Sequence, residues 1–135
     1  RQQPYVQFSL GQATVRGHTS ALNIAWTWPS PQRSGDAWVG SITLIGASDF
    51  NGAHVRNNFA LAVQYVTGFK QFDLGIGPSY METPWPYNGS RVNFNLTAAY
   101  RFRRWPITLW WNHFSCGGAC EPNLGRDMAF VGYRF

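Results

Sequence analysis

Apolar and polar residues alternate along most of this chain with a period of two. Residues 4–15 set Val6, Phe8 and Leu10 against Tyr5, Gln7 and Ser9. After a short connection at 16–19, Leu22, Ile24, Trp26 and Trp28 alternate with Asn23, Ala25 and Thr27. Successive side chains on a strand point to opposite faces, so this pattern predicts β-strands with one apolar face. Prolines 29 and 31 with Gly35 break the second strand from the third. The third strand, 37–47, is less regular: Trp38, Ile42 and Leu44 lie on one side, Val39 and Ile45 on the other. Residues 48–53, with Asp49, Asn51 and Gly52, read as a loop. The fourth strand alternates Phe59, Leu61, Val63 and Tyr65 with Asn58, Ala60, Ala62 and Gln64, up to a turn at Thr67 and Gly68. Phe72, Leu74 and Ile76 mark the fifth, followed by a proline-bearing loop at 81–89. Val92 to Phe102 forms the sixth, Arg104, Trp105 and Pro106 turn the chain, and residues 107–115 and 127–135 make the last two.

The expectation is therefore all-β: one domain over residues 1–135, an eight-stranded antiparallel transmembrane β-barrel. Each strand has roughly the ten residues that a tilted membrane strand needs. The longest connections, 81–89 and 116–126, fall on one end, the tight turn after the sixth strand on the other. Membrane barrels distribute their loops in this way, a trend that the short first connection, 16–19, does not follow. Phe, Leu, Val, Trp and Tyr would face lipid, and Asn, Thr, Ser, Gly and a few charges would fill an interior just wide enough for side chains.

Composition sharpens the choice. Aromatic residues are 17% of the chain and charged residues only 13%, about half the charged share of an ordinary soluble domain. A soluble lipid-binding barrel would invert the faces and need far more Lys and Glu outside. No apolar run approaches the roughly 20 residues of a spanning helix. Phe135, with Tyr133 and Val131 on its face, resembles the C-terminal pattern that outer-membrane proteins show to their assembly machinery. The chain begins at Arg1 without a signal peptide and is expected to be a mature, exported form. The net charge of +5 comes from ten Arg and one Lys against six acids. Arg suits phosphate, but the basic residues form no long run, so lipid rather than nucleic acid is the expected partner. Asp73, Arg101, Arg103 and Arg134 share inward parity and predict a charge cluster at the end with the short turns.

The chemistry concentrates near the C-terminus. Ile107, Leu109, Trp111, His113 and Ser115 share one face of the seventh strand. Asp127 starts the apolar face of the eighth. Antiparallel pairing across 116–126 would bring a hydroxyl, an imidazole and a carboxylate together at the rim of a lipid-facing surface. These are the parts of an activated serine. Cys116 has the opposite parity, which argues against a thiol nucleophile. Cys116 and Cys120 flank Gly117, Gly118 and Ala119 and are disulfide candidates, with free thiols the alternative. A metal site needs further ligands and only His113 is near, so neither metal nor cofactor is expected. His18 and His54 fall in predicted loops.

His113-x-Ser115, followed by Gly118, Pro122-Asn123, Gly125 and Asp127, resembles the C-terminal motif of the lipid A 3-O-deacylases, the PagL family. Residues 22–28 and 68–77 are similar too, but only the C-terminal motif is specific. The resemblance implies an eight-stranded barrel in the Gram-negative outer membrane, with a site facing the outer leaflet. It implies metal-free hydrolysis of the 3-position ester of lipid A, the lipid part of lipopolysaccharide. His113 would be the base, Ser115 the nucleophile and Asp127 the acid. Two positions depart from the family. Asp127 stands where it has Glu, and Cys116 where it has an Asn that helps form the oxyanion hole. Backbone N–H groups of Gly117 or Gly118 would take over that task. Substrate chains are expected along Leu109, Trp111 and Val131, with Arg91 and Arg126 as phosphate contacts. The competing reading is a non-enzymatic small barrel with adhesive or structural loops.

Overall fold

The computed structural model describes residues 3–14, 18–50, 52–84, 90–116 and 125–135. Ten strands form: β1 (Tyr5–Ala13), β2 (Thr19–Pro29), β3 (Asp36–Ile45), β4 (Ser48–Phe50), β5 (Ala53–Val55), β6 (Asn58–Phe69), β7 (Phe72–Met81), β8 (Val92–Arg101), β9 (Ile107–Ser115) and β10 (Arg126–Arg134). Eight of them close an antiparallel barrel in the order β1-β10-β9-β8-β7-β6-β3-β2. Closure pairs the first and last strands, Phe8 opposite Tyr133 and Leu10 opposite Val131. A closed barrel leaves no strand edge with unpaired backbone groups.

Two local features differ from the expectation. Residues 48–55 are not a plain loop: β4 and β5 form a small hairpin, with Gly52 at φ 79°. Three residues per strand are too few to show an alternating pattern. His54 lies in β5, exposed, with Nδ1 2.6 Å from Asp49 Oδ1. The turn expected at Thr67 and Gly68 falls later, at Lys70 and Gln71, because Phe69 pairs with Phe72. Gly68 serves close packing instead: a Cβ there would sit 2.7 Å from the Gly35 carbonyl oxygen.

The outward face is the expected apolar one. Leu10, Val63, Leu74 and Val131 are all more than half exposed, at 58%, 53%, 62% and 53%. So large a band of exposed aliphatic and aromatic side chains is foreign to a monomer in water.

The interior has two halves, and one departs from the polar filling expected. At the end with the longer connections it is an apolar plug of Ile45, Met81, Phe114, Met128 and Phe130 with small alanines. Phe130 stacks on Trp110 at 4.3 Å. The other half is polar and encloses a cavity of about 100 Å³. Asn23 donates to Thr43 Oγ1 at 2.8 Å, and Gln64 to Asn95 Oδ1 at 2.9 Å. Most of these buried polar groups find partners on nearby strands, while Asn23 Oδ1 and Asn58 Oδ1 are left without one among the described residues.

The expected charge cluster forms around one pair. Arg101 Nε lies 2.6 Å from Asp73 Oδ2, and its Nη2 donates to the Lys70 carbonyl at 2.7 Å. Arg134 instead uses the Thr108 hydroxyl at 2.8 Å and the Trp105 carbonyl at 3.2 Å. Arg103 is exposed. One carboxylate holds one guanidinium, and the other two reach neutral acceptors or the barrel's rim.

Candidate active site

The site grows out of the β9–β10 ladder. Register sets Asp127 opposite His113, Met128 opposite Asn112 and Ala129 opposite Trp111. Directly opposed residues on one face hold their Cβ atoms roughly 5 Å apart, within reach of a short carboxylate and an imidazole. His113 Nδ1 lies 2.7 Å from Asp127 Oδ1. A carboxylate only accepts hydrogen bonds, so Nδ1 carries the proton and Nε2 is left as the basic nitrogen. The two side chains are 24% and 17% exposed, sheltered yet reachable from outside the barrel.

Two further contacts adjoin the imidazole and a third holds its backbone. Trp111, two residues back on the same face, stacks on it at 5.6 Å and 20°. Gly125, at φ 74°, passes over its other edge: a Cβ there would come 2.6 Å from Cε1 and 3.2 Å from Nε2. From inside the barrel, Asn95 Nδ2 donates to the His113 carbonyl at 3.3 Å and to Asn112 Oδ1. Asn95 is itself held by Gln64. Phe114, the inward neighbour of His113, is 1% exposed in the plug. The outward site thus stands on a strand fixed from within.

Ser115 ends β9, on the same face as His113 and opposite Phe94 of β8. Continuing the register by one residue sets Gly125 across from Ser115. The Nε2 edge of the imidazole, turned toward Gly125, is therefore at the level of the serine. Replacing Gly125 by Ala should displace the imidazole, since both the backbone angle and the space are wrong for a side chain. A misplacement of about 1 Å is expected to cost roughly a hundredfold in rate. Turnover by the folded Gly125→Ala protein measures it.

The remaining expected residues divide. Leu109, Trp111 and Val131 point outward and line a shallow external groove of about 640 Å³ with Ala98, Ala129 and Leu10. The two alanines, which the sequence reading passed over, make the hollow by their small size. Arg91 is exposed and its Nε donates to the Glu82 carbonyl at 3.0 Å. Arg126 does not fit its expected role. It is 2% exposed and points into the barrel, donating to Ser48 Oγ of the β4–β5 hairpin at 3.2 Å. Its parity is opposite to that of Asp127, so it cannot meet a ligand on the outer face. Cys116 is buried and is not a free thiol, which makes it unsuitable as a neutral mutational control. Its expected partner Cys120, and Gly117 and Gly118, lie outside the described residues.

Among solved structures, one that aligns over almost the whole chain is that of an outer-membrane enzyme. It is the crystal structure of the outer membrane enzyme PagL, with a TM-score of 0.64 over 97% of this chain and 98% of that one. The chain has the PagL fold. Identity is 20%, so the likeness is one of architecture. No protein-family profile matches the sequence, and no curated protein does.

Proposed function

We propose that this protein is an integral outer-membrane esterase that hydrolyses the 3-position acyl ester of lipid A. The observation that carries the reading is the 2.7 Å His113–Asp127 pair. It sits on the outward, apolar face, two residues from a serine on the same strand. An interior site would serve a soluble substrate; this one faces whatever lies along the barrel wall. The fold shared with an outer membrane enzyme and the C-terminal motif support the same reading. The end with the longer connections then faces outward, where lipopolysaccharide forms the outer leaflet.

His113 Nε2 takes the Ser115 proton as Oγ attacks the ester carbonyl, and Asp127 keeps the imidazole in the required tautomer. The motif alone assigns the oxyanion to backbone N–H groups of Gly117 or Gly118, which lie outside the described residues. Collapse breaks the bond to the sugar oxygen, which takes the proton back from His113. Water, deprotonated by the same nitrogen, then releases the fatty acid and restores Ser115. The acyl chain lies in the groove along Leu109, Trp111 and Val131, and Arg91 is available to a phosphate at the rim.

Incubation of the purified protein with lipid A is expected to remove one acyl chain, from the 3 position, as read by mass spectrometry. Lipid A recovered intact would leave a barrel without this activity, the adhesive or structural alternative. Membrane integration has its own check: salt washes should leave the native protein in the membrane fraction, and detergent should release it.

A further inference from the structure

The charge of +5 is distributed unevenly. At the end with the longer connections, the described Arg56, Arg91 and Arg126 are balanced by Asp49, Glu82 and Asp127. At the opposite end, among the described side chains, Arg33, Lys70, Arg101, Arg103, Arg104 and Arg134 meet only Asp36 and Asp73. Both of these acids are already engaged. Arg101 holds Asp73. Asp36 accepts from the Tyr65 hydroxyl at 2.5 Å and from Thr67 Oγ1 at 2.8 Å.

Three of the cations and one of the acids line a cleft. The connection 30–35 and the β6–β7 turn wall off a volume of about 590 Å³, lined by Ser30, Arg33, Ser34, Asp36, Lys70 and Arg101 among others. The walls stand close because glycines meet at its base, Gly35 at φ 90° against Gly68. Arg33 only approaches Asp36, at 3.9 Å, and its side chain is 73% exposed. Lys70 has no carboxylate partner among the described residues.

Lys70 also holds a backbone conformation that lysine rarely adopts, with φ 55°. Its carbonyl is pinned there by Arg101. The two-residue turn between Phe69 and Phe72 demands such a φ of its first residue, whatever the side chain. Beside the cleft, on the outward face, stand Trp28, Trp38 and Phe69, between 48% and 71% exposed. A cationic cleft next to an exposed aromatic belt matches an amphiphile, with its anion in the cleft and its chains on the belt.

We propose that this cleft binds the phosphodiester headgroup of an anionic phospholipid from the leaflet at the short-turn end, held by Arg33 and Lys70. The site is separate from His113 and Ser115, at the other end of the barrel. It ties the barrel to the opposite leaflet from its substrate.

Brominated lipids quench the outward tryptophans in proportion to their occupancy of the barrel surface. The protein would be reconstituted in phosphatidylcholine vesicles carrying brominated phosphatidylglycerol or brominated phosphatidylcholine. Each cation near an anionic headgroup is worth roughly a fivefold gain in affinity, so phosphatidylglycerol should quench well beyond phosphatidylcholine at equal fractions. The preference should vanish in the Arg33→Gln, Lys70→Gly variant and persist in Arg56→Gln, which changes the other end. Glycine suits the φ of residue 70, so Lys70→Gly alone keeps the turn and should remove about four-fifths of the preference by the same arithmetic. Equal quenching by the two lipids overturns the proposal, as does a preference that survives loss of both cations. Displacement by millimolar inorganic phosphate would overturn the lipid assignment in favour of a soluble anion. Lipid A turnover is not read in this experiment, so failure here leaves the esterase reading untouched, and the reverse.

Discussion

Ser115→Ala protein, folded and membrane-embedded, is expected to leave lipid A fully acylated. His113→Ala should do the same, and the double variant should be no worse than either single one. Members of one catalytic unit fail together, with single losses of about ten-thousand-fold to a million-fold. Folding should survive both changes, because neither side chain lies in the apolar plug or the polar network. His113 is outward, and its backbone is held by Asn95 Nδ2 through a carbonyl that any residue supplies. Heat-dependent migration of the barrel on a gel separates loss of folding from loss of chemistry. Full deacylation by folded Ser115→Ala protein would remove the serine as nucleophile and leave the fold without this mechanism.

Asp127→Asn is expected to slow turnover by about ten-thousand-fold without unfolding the barrel. An amide places a donor where the imidazole needs an acceptor, so Nδ1 loses its proton to Nε2 and the base disappears. Asp127→Glu tests the departure from the lipid A deacylase motif. The carboxylate already reaches Nδ1 at 2.7 Å from a directly opposed strand position. A longer side chain has nothing to gain in reach and must fold back on itself. The Glu variant should keep the charge and most of the rate, within about tenfold, and should not exceed the parent. The comparison of Asn and Glu variants by initial rates distinguishes a need for the carboxylate from a need for its position.

The strands, their faces and the placement of the candidate site residues were legible because a barrel obeys a local rule. Alternation depends only on the pleat, so Leu109, Trp111, His113 and Ser115 could be assigned to one face from their numbers alone. The same parity also settled Arg126: it differs from Asp127 by one residue, and its burial was readable on that ground. Expecting it at a phosphate weighed its charge above its parity. The short β4–β5 hairpin was not legible, since three-residue strands show no period. Gly68 misled for a different reason: a glycine marks either a turn or a close approach, and only the distance to Gly35 distinguishes them.

What the sequence determined by itself was the number of barrel strands, the apolar outward face and the grouping of His113, Ser115 and Asp127 at one end. Local alternation and the few long connections are enough for that. The tertiary structure alone decided the register that sets Asp127 squarely opposite His113. It alone placed Trp111 and Gly125 against the imidazole, and it split the interior into an apolar plug and a polar half. These depend on pairings between residues far apart in the chain, and a period-two pattern is unchanged when a strand slips by two.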